Sequence, residues 1–405
     1  MSECSRVGGS GDGSVAPACR SIAEIVRRHA EAYGLARPKL SPEQRRLLRD
    51  VQACRTAALG GHLYVCDTCG HEVPVYNSCR NRGCPNCQAL DQARWIEGRK
   101  ARLLPVGHHH VVFTLPSELR PLALRHPRAV VGLLFEAVRD TLTVLPREHL
   151  GLQLGITAVL HTWTREMLFH PHIHSVVTAG GLSLDGTRWV SRTGFLLPVA
   201  LMKAYFRGRI LHLLARLRKQ GQLDLPGEET APDPRAWDRL IRSLPKPERW
   251  CIHIEPPFGR STHVIEYLGR YTHRIALSDS RLVEVRDDSV RFRTRGDDTI
   301  SLSPFAFLDR FLLHVLPPGL HKIRHFGLYA AGHARGRLPI ARTLLGGGDS
   351  GADEAADPPA PEETAVELLE RLTGEDLRAC PVCPTGRMER HPLPQPVGRA
   401  PPRGP

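Results

Sequence analysis

The stretch that decides the fold is FHPHIHSVVTAGGLS, Phe169–Ser183. It sets two histidines one residue apart in a run of β-branched residues and then drops into a glycine pair. Side chains two apart on a β-strand point to the same face. His172 and His174 therefore project together, while Ile173 turns into the core. Two imidazoles side by side can clamp one metal ion. A lone His-x-His triplet arises by chance in many chains, so the rest of the sequence must weigh in.

Tyr267, 93 residues after His174, lies in STHVIEYLGRYTHRIALS, which follows the stiff stretch EPPFG. Ser261 or Thr262 is placed as an N-cap before apolar residues at helical intervals. Tyr267 and Tyr271 are four apart, hence about one turn apart on one helix face. Both hydroxyls could reach one centre, although two tyrosines at this spacing often just pack a core face.

A cysteine-rich unit lies upstream, CDTCGHEVPVYNSCRNRGCPNCQ. Cys66 and Cys69 form one CxxC knuckle and Cys84 and Cys87 a second, separated by fourteen residues. That spacing is close to the one that lets two knuckles close a single tetrahedral structural zinc site. Cys54, His62, His71 and Cys79 crowd the same segment and would suffice for a second zinc. A further CxxC, Cys380 and Cys383, is half a site whose other half could come from another subunit or not exist.

The chain of 405 residues has room for two or three domains, and 41% hydrophobic content suffices for a real core. No stretch approaches the roughly 18 to 20 apolar residues that span a bilayer, and the N-terminus lacks an apolar signal core. A cytoplasmic protein with no membrane partner is expected. Eleven cysteines, an odd number, suit metal ligands in a reducing compartment better than a disulfide framework. The formal net charge of +13 understates the basic surface, because Asp349 to Asp376 holds ten acids and one arginine, a net of −9 that leaves +22 for the remainder. Such a balance suggests a polyanionic partner such as nucleic acid, although many basic enzymes have none.

Four parts follow from composition and periodicity. Residues 1–20 read as a disordered N-terminus, and 21–100 as a helix (SIAEIVRRHAEAYGLA) followed by a small zinc-binding domain. Residues 101–345 mix strand-like and helical runs, which predicts one α+β catalytic domain interrupted by the polar insertion RKQGQLDLPGEETAPDPRAW. Residues 346–405 read as an acidic, proline-rich disordered tail, a linker rather than a domain.

Taken together, the blocks CRTAALGGH, YNSCRNRGCPNCQ, HVVFTLP, LHTWTREMLFHPHIHSVVTAGGLS, PPFG, EYLGRYTHRIALS, FLLHVLP and IRHFGLYA resemble, in this order, the rolling-circle transposases of the HUH-endonuclease superfamily, specifically the family typified by insertion sequence 91. The resemblance runs from about Ile22 to Ala341. The histidine pair precedes the tyrosine helix, as in replication initiators and this transposase group; conjugative relaxases have the reverse order.

The resemblance implies an antiparallel sheet flanked by helices, with a small zinc-binding domain before it. His172 and His174 would hold Mg2+ or Mn2+ on a phosphate of single-stranded DNA. Glu166, His161 and His170 are candidates for the third ligand, with Glu166 favoured by charge. Tyr267 and Tyr271 would be the nucleophiles, whose attack on phosphorus leaves a 5'-phosphotyrosine and a free 3'-hydroxyl that can prime replication. Arg270, Arg274 and Arg281 would neutralise the strand being cut. The implied partners are single-stranded DNA at transposon ends, target DNA and host replication proteins, in a bacterial, nucleoid-associated setting.

Two departures from the family pattern stand out. Gly83 occupies a position where relatives often have histidine, which favours four-cysteine ligation, and Glu255 stands where a lysine commonly precedes the paired prolines. His108, His109 and His110 open a strand, with His108 and His110 on one face in a structural or DNA-facing role. The competing readings are a plasmid replication initiator or relaxase-type nickase, a metallohydrolase using the same histidines, and a non-catalytic zinc DNA-binding protein. A GxxxxGK[ST] helicase loop, which would favour an initiator, does not occur in the sequence.

Overall fold

Alternation in the strand carrying the histidine pair splits a five-stranded sheet into two chemically different faces. The computed structural model describes residues 20–100, 102–192, 194–195, 197–225, 233–258, 269, 276–346 and 364–393. In chain order the helices and strands are α1 (Ile22–Ala36), α2 (Pro42–Ala53), β1 (Gly61–Cys66), β2 (Glu72–Tyr76), α3 (Ala89–Lys100), β3 (His108–Thr114), α4 (Arg120–Arg125), α5 (Pro127–Leu150), β4 (Leu152–Gln153), β5 (Gly155–Trp163), β6 (Phe169–Thr178), β7 (Gly180–Ser183), β8 (Trp189–Ser191), α6 (Val199–Lys219) and α7 (Pro234–Ser243). There follow β9 (Ile252–Phe258), β10 (Leu282–Val285), β11 (Val290–Arg293), β12 (Thr299–Leu302), α8 (Pro304–Leu312), β13 (Ile323–Gly327), α9 (Arg337–Leu344), α10 (Ala365–Thr373) and β14 (Met388–Pro392). None of the described helices is long and apolar enough to cross a membrane.

The central sheet has the order β13-β5-β6-β3-β9 and is antiparallel throughout. Odd positions of β3 and β6 and even positions of β5 face α5 and α6: Val111, Phe113, Ile156, Ala158, Leu160, Ile173 and Val177 are buried in one cluster with Phe135, Phe206 and Trp250. The opposite parity exposes the other face to histidines. Ile173 is fully buried among these side chains, as the strand alternation requires. This is the α+β architecture expected, an antiparallel sheet flanked by helices.

The N-terminal helices do not stand apart from the catalytic region. Ser21 caps α1 by accepting from the Glu24 amide, and α1 and α2 share an apolar cluster with Leu282, Val290, Phe292, Phe307 and Phe311 from β10, β11 and α8. Asp309 on α8 ties the two parts, accepting from the Tyr33 hydroxyl at 2.8 Å and from Arg37 at 2.9 Å and 3.0 Å. The boundary expected at residue 100 therefore separates sequence blocks but not packed units.

The tail expected to be disordered is folded over residues 364–393. Thr364 and Glu367 form a capping box that starts α10, Gly374 ends it in a left-handed conformation, and β14 pairs antiparallel with β1 in the sheet β14-β1-β2. Acidic, proline-rich composition hid this, because the segment is held by another part of the chain and not by a core of its own. The expected surface insertion is likewise anchored at its start, where Leu223 and Leu225 enter the main core.

Candidate active site and metal centres

On the face of the central sheet opposite α5 and α6, register brings three histidines together. His161 lies directly across from His172 on β5 and β6, and Val159 across from His174, so His161 is also diagonal to His174. Their ring centroids are 5.4 Å (His161–His172), 4.1 Å (His161–His174) and 4.8 Å (His172–His174) apart. One ligand nitrogen from each lies within 4.8 Å of the others. Burial pushes His161 and His174 well below the ordinary histidine range and His172 down to about 4. All three are thus neutral near pH 7, the form that can ligate a metal.

Hydrogen bonds set which nitrogen faces the cluster. His172 donates from Nδ1 to the His170 carbonyl at 2.6 Å, leaving Nε2 with its lone pair. For His174 the orientation comes through a relay. Glu255 on β9 pairs across from His110 on β3, and its Oε2 lies 2.9 Å from His110 Nδ1. His110 Nε2 in turn lies 2.7 Å from His174 Nδ1. An ionised carboxylate only accepts, so His110 Nδ1 carries the proton. When Nδ1 holds the only ring proton of His110, its Nε2 accepts from His174 Nδ1–H, which frees His174 Nε2 for a ligand.

Glu166, favoured on charge for the third position, does not join the three histidines. It sits in the turn between β5 and β6, where Met167 adopts a positive φ of 58° and Arg310 donates to the Glu166 carbonyl at 2.8 Å. A bond from Thr164 holds its carboxyl below the usual range. His170 is also engaged elsewhere, accepting at Nδ1 from Arg120 at 2.7 Å. The strand residue His161 lies beside His172 and His174 instead, because a cross-strand partner stays in register where a turn residue leaves the sheet plane.

Tyr267, Tyr271, Arg270 and Arg274 lie outside the described residues. Between the tyrosines, Gly269 is described, and it approaches α3 so closely that a Cβ there would meet Ile96 at 2.3 and 2.4 Å. The preceding residue, Trp95, packs on Val159 and Val176, on the histidine face of the sheet. Arg281 is committed to the fold: its guanidinium donates to the Arg293 carbonyl at 2.9 Å and to the Arg165 carbonyl, and lies 5.9 Å from the Phe292 ring centre. Lys322, which the sequence did not single out, precedes β13 and has its ammonium pushed down to about 8 by burial, and its charge acts on both His161 and His314. Only the pairing of β13 with β5 brings it there.

The cysteines group differently from the spacing-based expectation. Cys54, Cys79, Cys84 and Cys87 form one cluster, and Cys66, Cys69, Cys380 and Cys383 another. The hairpin explains the exchange. Gly61 pairs with Tyr76 at its base and Val65 with Glu72 near its tip, a length of about 13 Å at roughly 3.3 Å per residue. The Cys66/Cys69 knuckle is at the tip, while Cys79, Cys84 and Cys87 follow the base. One ion cannot bridge that gap. His62 bonds to Arg390, and His71 gives its carbonyl to the Cys66 amide at 2.9 Å; neither imidazole is in a cluster. Four sulfurs bound at about 2.3 Å around one zinc lie about 3.8 Å apart, and Cys79 Sγ to Cys87 Sγ is 3.7 Å. The donor set at Cys54, Cys79, Cys84 and Cys87 fits a structural zinc, with no position left open for chemistry.

A histidine-faced antiparallel sheet together with cysteine clusters that fit structural zinc defines a zinc-stabilised class of protein, and comparison with known families narrows it. The family described as "Putative transposase" matches residues 155–337, and that described as "Transposase zinc-binding domain" matches residues 25–115. The chain belongs to the insertion sequence 91 family of transposases, DNA-processing enzymes with an N-terminal zinc-binding domain. It is 42% identical over 382 residues to "Putative transposase y4qJ" of Sinorhizobium fredii (strain NBRC 101917 / NGR234), covering 91% of this chain and 94% of that relative. It is 31% identical over 307 residues to "Transposase for insertion sequence element IS801" of Pseudomonas savastanoi pv. phaseolicola, covering 70% and 71%. No solved structure matches the chain.

Proposed function

We propose that this transposase nicks single-stranded DNA at the ends of its element by attack of a tyrosine on phosphorus, and so drives rolling-circle transposition. The observation that carries this is the convergence of His161, His172 and His174, each neutral, on one side of the sheet. A divalent ion bound there would polarise a phosphate oxygen and favour loss of the phenolic proton. The three imidazoles, with no carboxylate beside them among the described residues, suit Mn2+ better than Mg2+, which prefers an all-oxygen shell.

The chain's own groups would do the rest. His110 and Glu255 orient His174, and the His170 carbonyl orients His172. Lys322, whose charge acts on His161, would add positive potential at the site. Tyr267 or Tyr271 forms a bond to phosphorus as the 3'-oxygen leaves, giving a 5'-phosphotyrosine and a 3'-hydroxyl. The bond energy is kept, so a later 3'-hydroxyl can reverse the link without a nucleotide cofactor. Two tyrosines would let one hold the first end while the other cuts the next. The contact of Gly269 with Ile96, beside Trp95 on the histidine face, supports this use of the segment. Phosphate contacts would make binding fall steeply with salt.

The test uses labelled single-stranded DNA carrying element ends, incubated with protein and Mn2+ and run on a denaturing gel. A labelled protein band that disappears in Tyr267→Phe/Tyr271→Phe is expected. Free 5'-phosphate ends without an adduct would identify a metallohydrolase, and binding with no cleavage in any metal would leave a zinc-stabilised DNA-binding protein.

A further inference from the structure

We propose that Cys66, Cys69, Cys380 and Cys383 form a second four-thiolate zinc site, which fastens the C-terminal segment to the N-terminal zinc-binding domain. The match to that domain ends at residue 115, so half of these donors lie well outside it. Across the two knuckles Cys66 Sγ lies 3.6 Å from Cys383 Sγ, and Cys69 Sγ 3.7 Å from Cys380 Sγ. These are the edges of a zinc–sulfur tetrahedron, about 3.8 Å. They are far longer than a disulfide of about 2.05 Å.

Each knuckle is shaped for thiolates. The Cys69 amide donates to Cys66 Sγ at 3.4 Å, and the Val382 and Cys383 amides both donate to Cys380 Sγ at 3.4 Å. At Cys380 the bond from the Cys383 amide favours the charged sulfur over the thiol. Gly386 closes the site from outside: a Cβ there would sit 2.3 Å from Cys66 Sγ and 2.7 Å from Cys383 Sγ. Only a bare backbone fits against that sulfur pair.

The surrounding contacts hold the two distant segments in one register. Met388 pairs with Cys66 and Pro392 with His62 along β14 and β1. The Arg387 amide donates to Asp67 Oδ1 at 2.9 Å, while the Asp67 amide donates to the Arg387 carbonyl at 3.0 Å. The segment brings little apolar surface of its own, with Leu368 and Cys380 its only buried hydrophobic residues among those described. A bound metal is the usual means of fixing such a small, core-poor unit. Four thiolates in a tetrahedron select zinc or iron over harder ions.

Metal content of the full-length protein decides the matter. Two zinc ions per chain are expected by elemental analysis, falling to one in Cys380→Ser/Cys383→Ser. Gly386→Val, which keeps every thiol, should also fall to one, and in both variants trypsin should release the C-terminal segment at least tenfold faster. One zinc in the wild-type chain, two in Cys380→Ser/Cys383→Ser, iron in place of zinc, or loss of both ions in either variant would overturn the proposal of a separate second zinc site. The wild-type count stands even if a variant folds poorly.

Discussion

Glu255→Ala removes the outer end of the Glu255–His110–His174 relay without touching a proposed metal ligand. Losing an outer partner of a metal-bound histidine typically costs 10- to 100-fold in affinity, or about 1.4 to 2.7 kcal/mol. The Glu255 side chain is 41% exposed whereas that of His110 is 2% exposed, so water can partly replace the carboxylate and the lower end applies. About tenfold weaker Mn2+ binding is expected for Glu255→Ala. Glu255→Gln keeps an acceptor for His110 Nδ1–H and should lose only about two- to threefold, since the bond survives without its charge. Calorimetric titration with Mn2+, after the zinc sites are filled, measures this without DNA. Wild-type affinity in Glu255→Ala, alongside abolished binding in His174→Ala, would refute the relay while leaving the metal site standing. Abolished binding in Glu255→Gln would mean instead that the carboxylate is itself a ligand.

Two further outcomes follow from the same geometry. His161→Ala should lower Mn2+ affinity at least 100-fold, whereas Glu166→Ala should change it less than threefold, because only the histidine lies within ligand distance of His172 and His174; the titration just described reads both. Acid should destabilise the fold through a histidine that is not one of the three proposed ligands. His314 donates or accepts at both ring nitrogens, with Thr162 at 3.2 Å and Met167 at 3.1 Å, and burial lowers it to about 4 from 6.5. The unfolded chain then binds more protons between these values, so stability is lost as pH falls from about 6.5 towards 4, by about 2 kcal/mol at pH 5. His314→Gln, which cannot titrate, should lose that much less than wild type between pH 7.5 and 5 in guanidinium unfolding; equal losses would contradict the assignment.

Strand parity and family pattern carried the sequence a long way. Ile173 in the core, His172 and His174 on the opposite face, a helix at α1 and the antiparallel sheet were all legible. Cross-strand register was not. His161 and Glu166 sit 11 and 6 residues before His172, and only the pairing of β5 with β6 shows that the more distant one lies opposite. Glu255 was legible as a departure from the lysine common in relatives, and so as a weakened phosphate contact. Its pairing with His110 shows the carboxylate bonded inward to an imidazole instead. The zinc ligands failed for a related reason. Spacing between knuckles says how far apart they are in sequence, but a rigid hairpin between them sets how far apart they are in space.

The two faces of the central sheet also constrain each other. A slip of one residue in β6 would turn Ile173 outward and both histidines inward. Burying two imidazoles among Phe113, Leu160 and Phe206 without partners would cost several kcal/mol, on top of the exposed isoleucine. The apolar face therefore fixes the register on which the metal geometry depends, and the chemistry does not have to stabilise its own arrangement. His110 and Glu255 then need only choose a tautomer within a frame already set. That division explains how one face of this sheet can concentrate His108, His110, His161, His172 and His174, largely or wholly buried, in a fold whose stability comes from the other.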